Sequence, residues 1–181
     1  MNKISVYKTE GIILRAIDFG DLDRLLTIYT RGYGKIQVRA VSARKKESKL
    51  KGLISPYIRA NFLLAKSKTI DILTDVEILD NYQYLRGRLV NLGLAFYFAE
   101  LVDKLVWGSE FDENLWRLIE RAFNALNQPR YAADLNKLKT AFEKKLLEFL
   151  GHGIEPKKTA LEAIQELIGE QINSQEFLRQ I

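Results

Sequence analysis

Apolar and polar positions alternate at period two through the first 80 residues, and near Asp80 the spacing changes to 3.6. Ile4 and Val6, then Ile12, Leu14 and Ala16, place apolar side chains on one face of an extended segment. Gly11 inside that segment predicts a bulge or a bend where the strand turns a corner. Residues 25–31 and 35–41 alternate across Gly32-Tyr33-Gly34, which has the composition of a hairpin turn. Pro56 opens a further strand through Leu64, and residues 65–69 turn it into a fifth over 70–76. Five short antiparallel strands, with a longer loop over 42–55 between the third and fourth, suit a small closed barrel such as the OB-fold.

Beyond the barrel the chain reads as helices. Leu85, Leu89, Leu92, Phe96, Ala99, Val102 and Val106 predict one long helix ended by Trp107-Gly108-Ser109. Phe111-Asp112-Glu113 opens a second, with Leu115, Ile119, Ala122, Phe123 and Leu126 inward and Asn127-Gln128-Pro129 at its end. A third, over about 131–150, turns Leu135, Leu138, Phe142, Leu146 and Phe149 inward, and Gly151 stands just past its end. An amphipathic helix over about 157–168 and a short turn capped by Asn173 or Ser174 complete the chain. The expected organisation is therefore a five-stranded OB-fold barrel, residues 1–80, followed by an all-α domain, residues 81–181.

Charge changes this picture more than overall composition does. A content of 47% hydrophobic and 28% charged residues is ordinary for a globular chain of 181 residues, enough to bury a core. Residues 1–80 hold fifteen Lys/Arg and nine Asp/Glu, whereas residues 81–181 hold thirteen and fourteen, so the basic character belongs to the barrel. It concentrates further: residues 31–68 hold eleven Lys/Arg against Glu47 alone. Two readings are open for that run, a solvated loop or a surface that attracts a polyanion. Its position inside a folded strand pattern and the different sign of the rest of the chain favour the polyanion. No apolar run reaches the roughly 18 residues of a membrane span, so no membrane partner is expected. Charges also come too early in the sequence for a secretory signal. The cytoplasm is the expected location.

Strand alternation sorts the candidate contacts. With Leu26, Ile28, Ile36, Val38 and Ala40 inside the barrel, Thr27, Tyr29, Arg31, Lys35, Gln37 and Arg39 face outward. With Ile58, Ala60, Phe62 and Leu64 inside, Tyr57, Arg59 and Asn61 face outward. Cations among aromatic rings suit single-stranded nucleic acid, since cations follow phosphates while rings stack on unpaired bases. For Tyr29 and Tyr57 ordinary cross-strand packing is the competing reading. Arg44, Lys45, Lys46, Lys49 and Lys51, in the loop, are the expected phosphate contacts.

Catalytic chemistry finds little support. The chain has no cysteine, which removes disulfides, a thiolate nucleophile and cysteine-ligated zinc. His152, the one histidine, stands between two glycines past a helix end, a place for a C-terminal cap rather than a base. Neither type of Gly-rich nucleotide loop is present, and Asp18-Phe19-Gly20 lacks the partners that the kinase tripeptide requires. Asp18, Asp21 and Asp23 lack the ligand count of a calcium loop and read as a turn with solvated carboxylates. Asp71, Asp75 and Glu77 share a strand face, and a magnesium-dependent nuclease is the minor reading they allow.

Lys8-Thr9-Glu10-Gly11-Ile12-Ile13-Leu14-Arg15, then Asp21-Leu22-Asp23-Arg24-Leu25-Leu26-Thr27-Ile28-Tyr29-Thr30, then Gly34-Lys35 together resemble the N-terminal domain of the RecO recombination mediators. The run from Val41 through Gly52, followed by Pro56-Tyr57, resembles that family's basic loop. Glu100-Leu101-Val102-Asp103-Lys104-Leu105 and the stretch from Phe142 through Gly151 resemble two of its helices. The similarity runs in order over residues 5–156. It implies a bacterial, nucleoid-associated protein without enzymatic turnover that binds single- and double-stranded DNA and anneals complementary strands. It further implies work with RecR and the single-strand DNA-binding protein to load RecA. Many members carry a four-cysteine zinc module; here no zinc, and no other cofactor, is expected. The chain also ends sooner than typical members, which implies a reduced C-terminal surface. The competing class is a scaffold whose OB-like barrel docks acidic proteins through the same loop.

Overall fold

The computed structural model describes residues 5–181. Five strands form first: β1 (Val6–Phe19), β2 (Asp23–Arg31), β3 (Gly34–Ala40), β4 (Arg59–Ala65) and β5 (Asp71–Asp80). They close into a barrel in the order β1-β2-β3-β5-β4, antiparallel except for the β3–β5 contact. This is the five-stranded Greek-key barrel of the OB type. Its core is Ile13, Leu26, Ile28, Val38, Ala60, Phe62, Leu64, Leu73 and Val76, as the alternation predicts for β2, β3 and β4. The β2–β3 turn is closed by Thr30, whose hydroxyl donates to the Gly34 carbonyl (2.9 Å) and accepts from the Tyr33 N–H (3.2 Å).

β1 departs from the expected register. Ile4 lies outside the described residues, Val6 is exposed, and Tyr7, Thr9, Gly11 and Ile13 form the inward row instead. The register against β2 shifts between Ile13 and Arg15, so the bulge falls at Leu14 and not at Gly11. One extra residue switches the inward parity, and beyond it Ala16 turns inward. Ile12 and Leu14, on the other face of β1, are buried as well. Gly11 serves a close approach: a Cβ there would stand 2.6 Å from Ile28 Cγ2 and 2.9 Å from the Tyr29 carbonyl oxygen.

β4 begins at Arg59, three residues later than the sequence suggests. Pro56 and Tyr57 form a turn, with Tyr57 at φ 63°. The Tyr57 N–H donates to the Ile13 carbonyl (2.7 Å), and the Ile13 N–H donates to the Ile58 carbonyl (3.0 Å). These bonds tie the end of the long loop to β1 just before its bulge.

By contact density the chain divides into two units, one running through Asn81 with Gly108–Phe111 added, the other Tyr82–Trp107 with Asp112–Ile181. The second unit is helical: α1 (Gln83–Arg86), α2 (Leu89–Leu105), α3 (Glu113–Leu126), a 3-10 turn (Pro129–Asp134), α4 (Leu135–Phe149), α5 (Ala160–Ile168) and α6 (Asn173–Arg179). The single long helix expected from Leu85 is broken at Gly87, and Leu89 at the start of α2 is 56% exposed. α2 is buried on most of its circumference, including Tyr97, Phe98 and Leu101, because it is the central helix of its unit. α3 turns inward the five residues its period predicts. Its N-cap is Asp112, whose carboxylate accepts from the N–H groups of Asn114 (2.7 Å) and Leu115 (3.0 Å). α4 ends in a Schellman motif: Gly151 adopts φ 76° and donates to Glu148, while the His152 N–H donates to the Leu147 carbonyl (2.9 Å). His152 therefore contributes its backbone to the cap, and its residue is exposed. The N–H groups of Asn173 and Ser174 at the start of α6 donate to the buried Glu100 carboxylate of α2 (3.0 and 2.8 Å).

Candidate nucleic-acid interface

The 42–55 loop is a folded object, although it has no regular helix or strand. Backbone bonds Lys45 to Ser42, Ser48 to Lys45, Lys51 to Ser48 and Leu53 to Leu50, each 3.0–3.1 Å, wind it into successive tight turns. Ala43 and Ile54 insert into the barrel core, and Leu50 and Leu53 pack against it. Apolar anchors at both ends and in the middle leave Arg44, Lys45, Lys46, Lys49 and Lys51 exposed on the outside. Among the described residues, Lys45, Lys46, Lys49 and Lys51 make no ion pair.

The acidic turn between β1 and β2 fixes the start of this loop: Asp18 and Asp21 are exposed, as expected of solvated carboxylates, whereas Asp23 is not. Asp23 is nearly buried and accepts from the Ser42 N–H (2.7 Å) and from Arg39 Nε (2.6 Å), with Arg39 Nη2 at 2.5 Å. The Ser42 N–H bond and then the Arg39 guanidinium hold the Asp23 carboxyl below the usual aspartate range. Arg44 donates to the Asp21 carbonyl (3.0 Å) and pairs with Asp18 (3.2 Å), and its N–H bonds the Leu22 carbonyl (2.9 Å). The acids and the cations that hold them are 16 to 26 residues apart in sequence, so no local motif announces them.

The other candidate residues divide. Arg39 stays half-exposed beside the loop, its guanidinium 5.5 Å from the Phe19 ring centre. Arg31 and Arg59 share Glu10: Arg59 Nε lies 2.6 Å from Oε1 and Arg31 Nη1 3.5 Å from Oε2. Arg31 closes β2 at the end opposite Asp23, about 26 Å away for an eight-residue strand step. The structure thus brings Arg39 and the loop cations together and sets Arg31 and Arg59 apart. Lys35 is partly buried, and Tyr57 is partly buried within its turn. Tyr29 does face away from Leu26 and Ile28, but it is fully buried and presents no ring to a base. Its outward position meant cover, because this part of the outer face (Ile12, Leu14, Thr27, Tyr29) is enclosed.

The strand acids are also occupied. Asp71 accepts from the Tyr7 hydroxyl (2.6 Å) and the Ser67 N–H (2.9 Å); Glu77 accepts from Lys8 and Asn61 (3.1 Å each). Lys8, then Asn61, lower the Glu77 pKa, while burial and the Asp71 bond raise that of Tyr7. Among the described residues no group of three acids or histidines is disposed to hold a metal ion. Nor, among those residues, is any helix long and apolar enough to cross a membrane.

The fold and this surface define an OB-barrel protein of the barrel-plus-helices kind, with a pinned cationic loop at one end of the barrel. Two family descriptions cover nearly all of it. "Recombination protein O N terminal" matches residues 1–82, and "Recombination protein O C terminal" matches residues 86–163. The chain is 34% identical over 149 residues to the DNA repair protein RecO of Pelotomaculum thermopropionicum, covering 82% of this chain and 57% of that protein. It is 37% identical over 147 residues to the RecO of Roseiflexus, covering 81% and 50%. Against the RecO of Clostridium novyi it is 27% identical over 175 residues, 97% of this chain and 65% of the relative. The chain belongs to the RecO family. It spans about half the length of the first two relatives.

Proposed function

We propose that this chain is a non-catalytic, cytoplasmic recombination mediator in DNA repair. It binds single- and double-stranded DNA, anneals complementary strands, and works with RecR and the single-strand DNA-binding protein to load the RecA recombinase. The observation that carries this reading is the loop: four exposed lysines that make no ion pair among the described residues, held on a turn-folded segment anchored in the barrel core. Lysines carried on a backbone that is already folded cost less chain freedom when they meet phosphates, and each such contact releases cations condensed on the DNA. Two strands brought to one such surface have part of their mutual repulsion neutralised, which is what annealing requires. Family membership supports the same reading.

The test compares wild type with a Lys45, Lys46, Lys49, Lys51→Ala variant in an annealing assay on complementary oligonucleotides. The variant is expected to anneal markedly more slowly at moderate salt while melting at the same temperature. Equal annealing rates would overturn the reading. So would tight binding of an acidic peptide by a wild-type chain that ignores DNA, the behaviour of a protein-docking scaffold.

A further inference from the structure

Beside the basic loop the barrel exposes apolar side chains that strand alternation alone does not single out. Ile17 (41% exposed) and Phe19 (38%) stand on the outer row of β1, Leu22 (42%) lies in the β1–β2 turn, and Val41 (44%) follows β3. Their adjacency is fixed by bonds already described. The Leu22 carbonyl accepts from the Arg44 N–H, Val41 precedes the Ser42 held by Asp23, and the Arg39 guanidinium lies over the Phe19 ring. Ile17 pairs with Leu25, which pairs in turn with Arg39, so these side chains share one end of the sheet. Water-facing apolar groups in one cluster mark a contact surface.

We infer that this patch, with Phe19 at its centre, receives unpaired bases of a single strand whose phosphates lie on the loop lysines. The inference rests on the proposed function and adds to it a preference for unpaired bases. Charge complementarity selects the occupant: Asp23 and Asp18 pair with Arg39 and Arg44 at the patch itself, but the adjoining loop exposes Lys45, Lys46, Lys49 and Lys51, so the partner is anionic along its length and apolar in its planes. A single-stranded polynucleotide has that combination, whereas in a duplex the base faces are stacked away and only phosphates can reach the surface. Arg39, held by Asp23 over one ring, extends the planar surface.

The test measures binding of a dT homopolymer and of a duplex of the same length to wild type, Phe19→Ala and Phe19→Trp. Phe19→Ala is expected to lower the preference for single strand over duplex by about fivefold or more, the loss of one base stack, with the salt slope unchanged. Phe19→Trp restores the preference. An unchanged preference in Phe19→Ala overturns the inference, and it leaves the proposed function standing if the loop variant still loses DNA. Equal weakening toward both DNAs overturns it too. If Phe19→Ala instead dissolves a self-associated form in sedimentation while binding DNA as before, the patch belongs to a second copy of the chain and the inference fails.

Discussion

Removing the four loop lysines tests the electrostatic argument by slope as well as by affinity. Lys45, Lys46, Lys49 and Lys51 are exposed and unpaired among the described residues, so each can meet a phosphate without first breaking an ion pair. Each such contact steepens the fall of log K with log salt by about 0.7 on single strands and 0.9 on duplex. Replacing all four with alanine should therefore flatten the single-strand slope by about 3 and the duplex slope by somewhat more. Between about 50 and 200 mM salt, those four contacts account for a roughly fiftyfold loss of wild-type affinity that the variant should not show. Arg31 and Arg59 provide the internal control. They flank the half-buried Glu10, so the three groups together present one net positive charge, and Arg31→Ala with Arg59→Ala should flatten the slope by about 1 or less. Anisotropy of a labelled oligonucleotide across a salt series reads both. The reasoning is refuted if the loop variant keeps the wild-type slope, or if the two arginines flatten it as much as the four lysines.

Two further expectations concern what holds the site. Gly11→Ala forces a Cβ against Ile28 and the Tyr29 carbonyl and should cost about 1–3 kcal/mol in urea unfolding, with Gly52→Ala unsuitable as a control because of its positive φ. Asp23 has a depressed carboxyl, so the unfolded chain binds its proton first as pH falls; the stability it contributes is present above the ordinary aspartate value, about 3.9, and disappears as pH drops through its lower folded value. Wild type should therefore exceed Asp23→Asn in thermal midpoint at neutral pH, with the gap closing only in acid; a gap that is constant with pH would show that the carboxylate charge is not what clamps the loop.

What the sequence by itself determined is whatever depends on neighbours a few residues away. Alternation placed Leu26, Ile28, Val38 and Phe62 in the barrel, the 3.6 period placed the buried face of α3, and Asp112 and Gly151 mark helix ends through bonds made within one turn. The density of cations over 31–68 located the surface, because charge along a chain survives any fold. Only the tertiary structure decided the rest. One residue added at Leu14 reversed the facing of β1, and a period-two pattern contains no sign of where such an insertion falls. Tyr29 lies on the outer row as alternation says, yet alternation does not tell whether an outer row meets water or cover. Likewise Glu10 draws Arg31 and Arg59 out of the site from 21 and 49 residues away, while the Asp18 and Asp23 carboxylates and the Asp21 carbonyl hold the start of the loop that carries the lysines. Electrostatic partners are chosen by distance in space, falling off over a few ångströms, and a sequence records order along the chain instead.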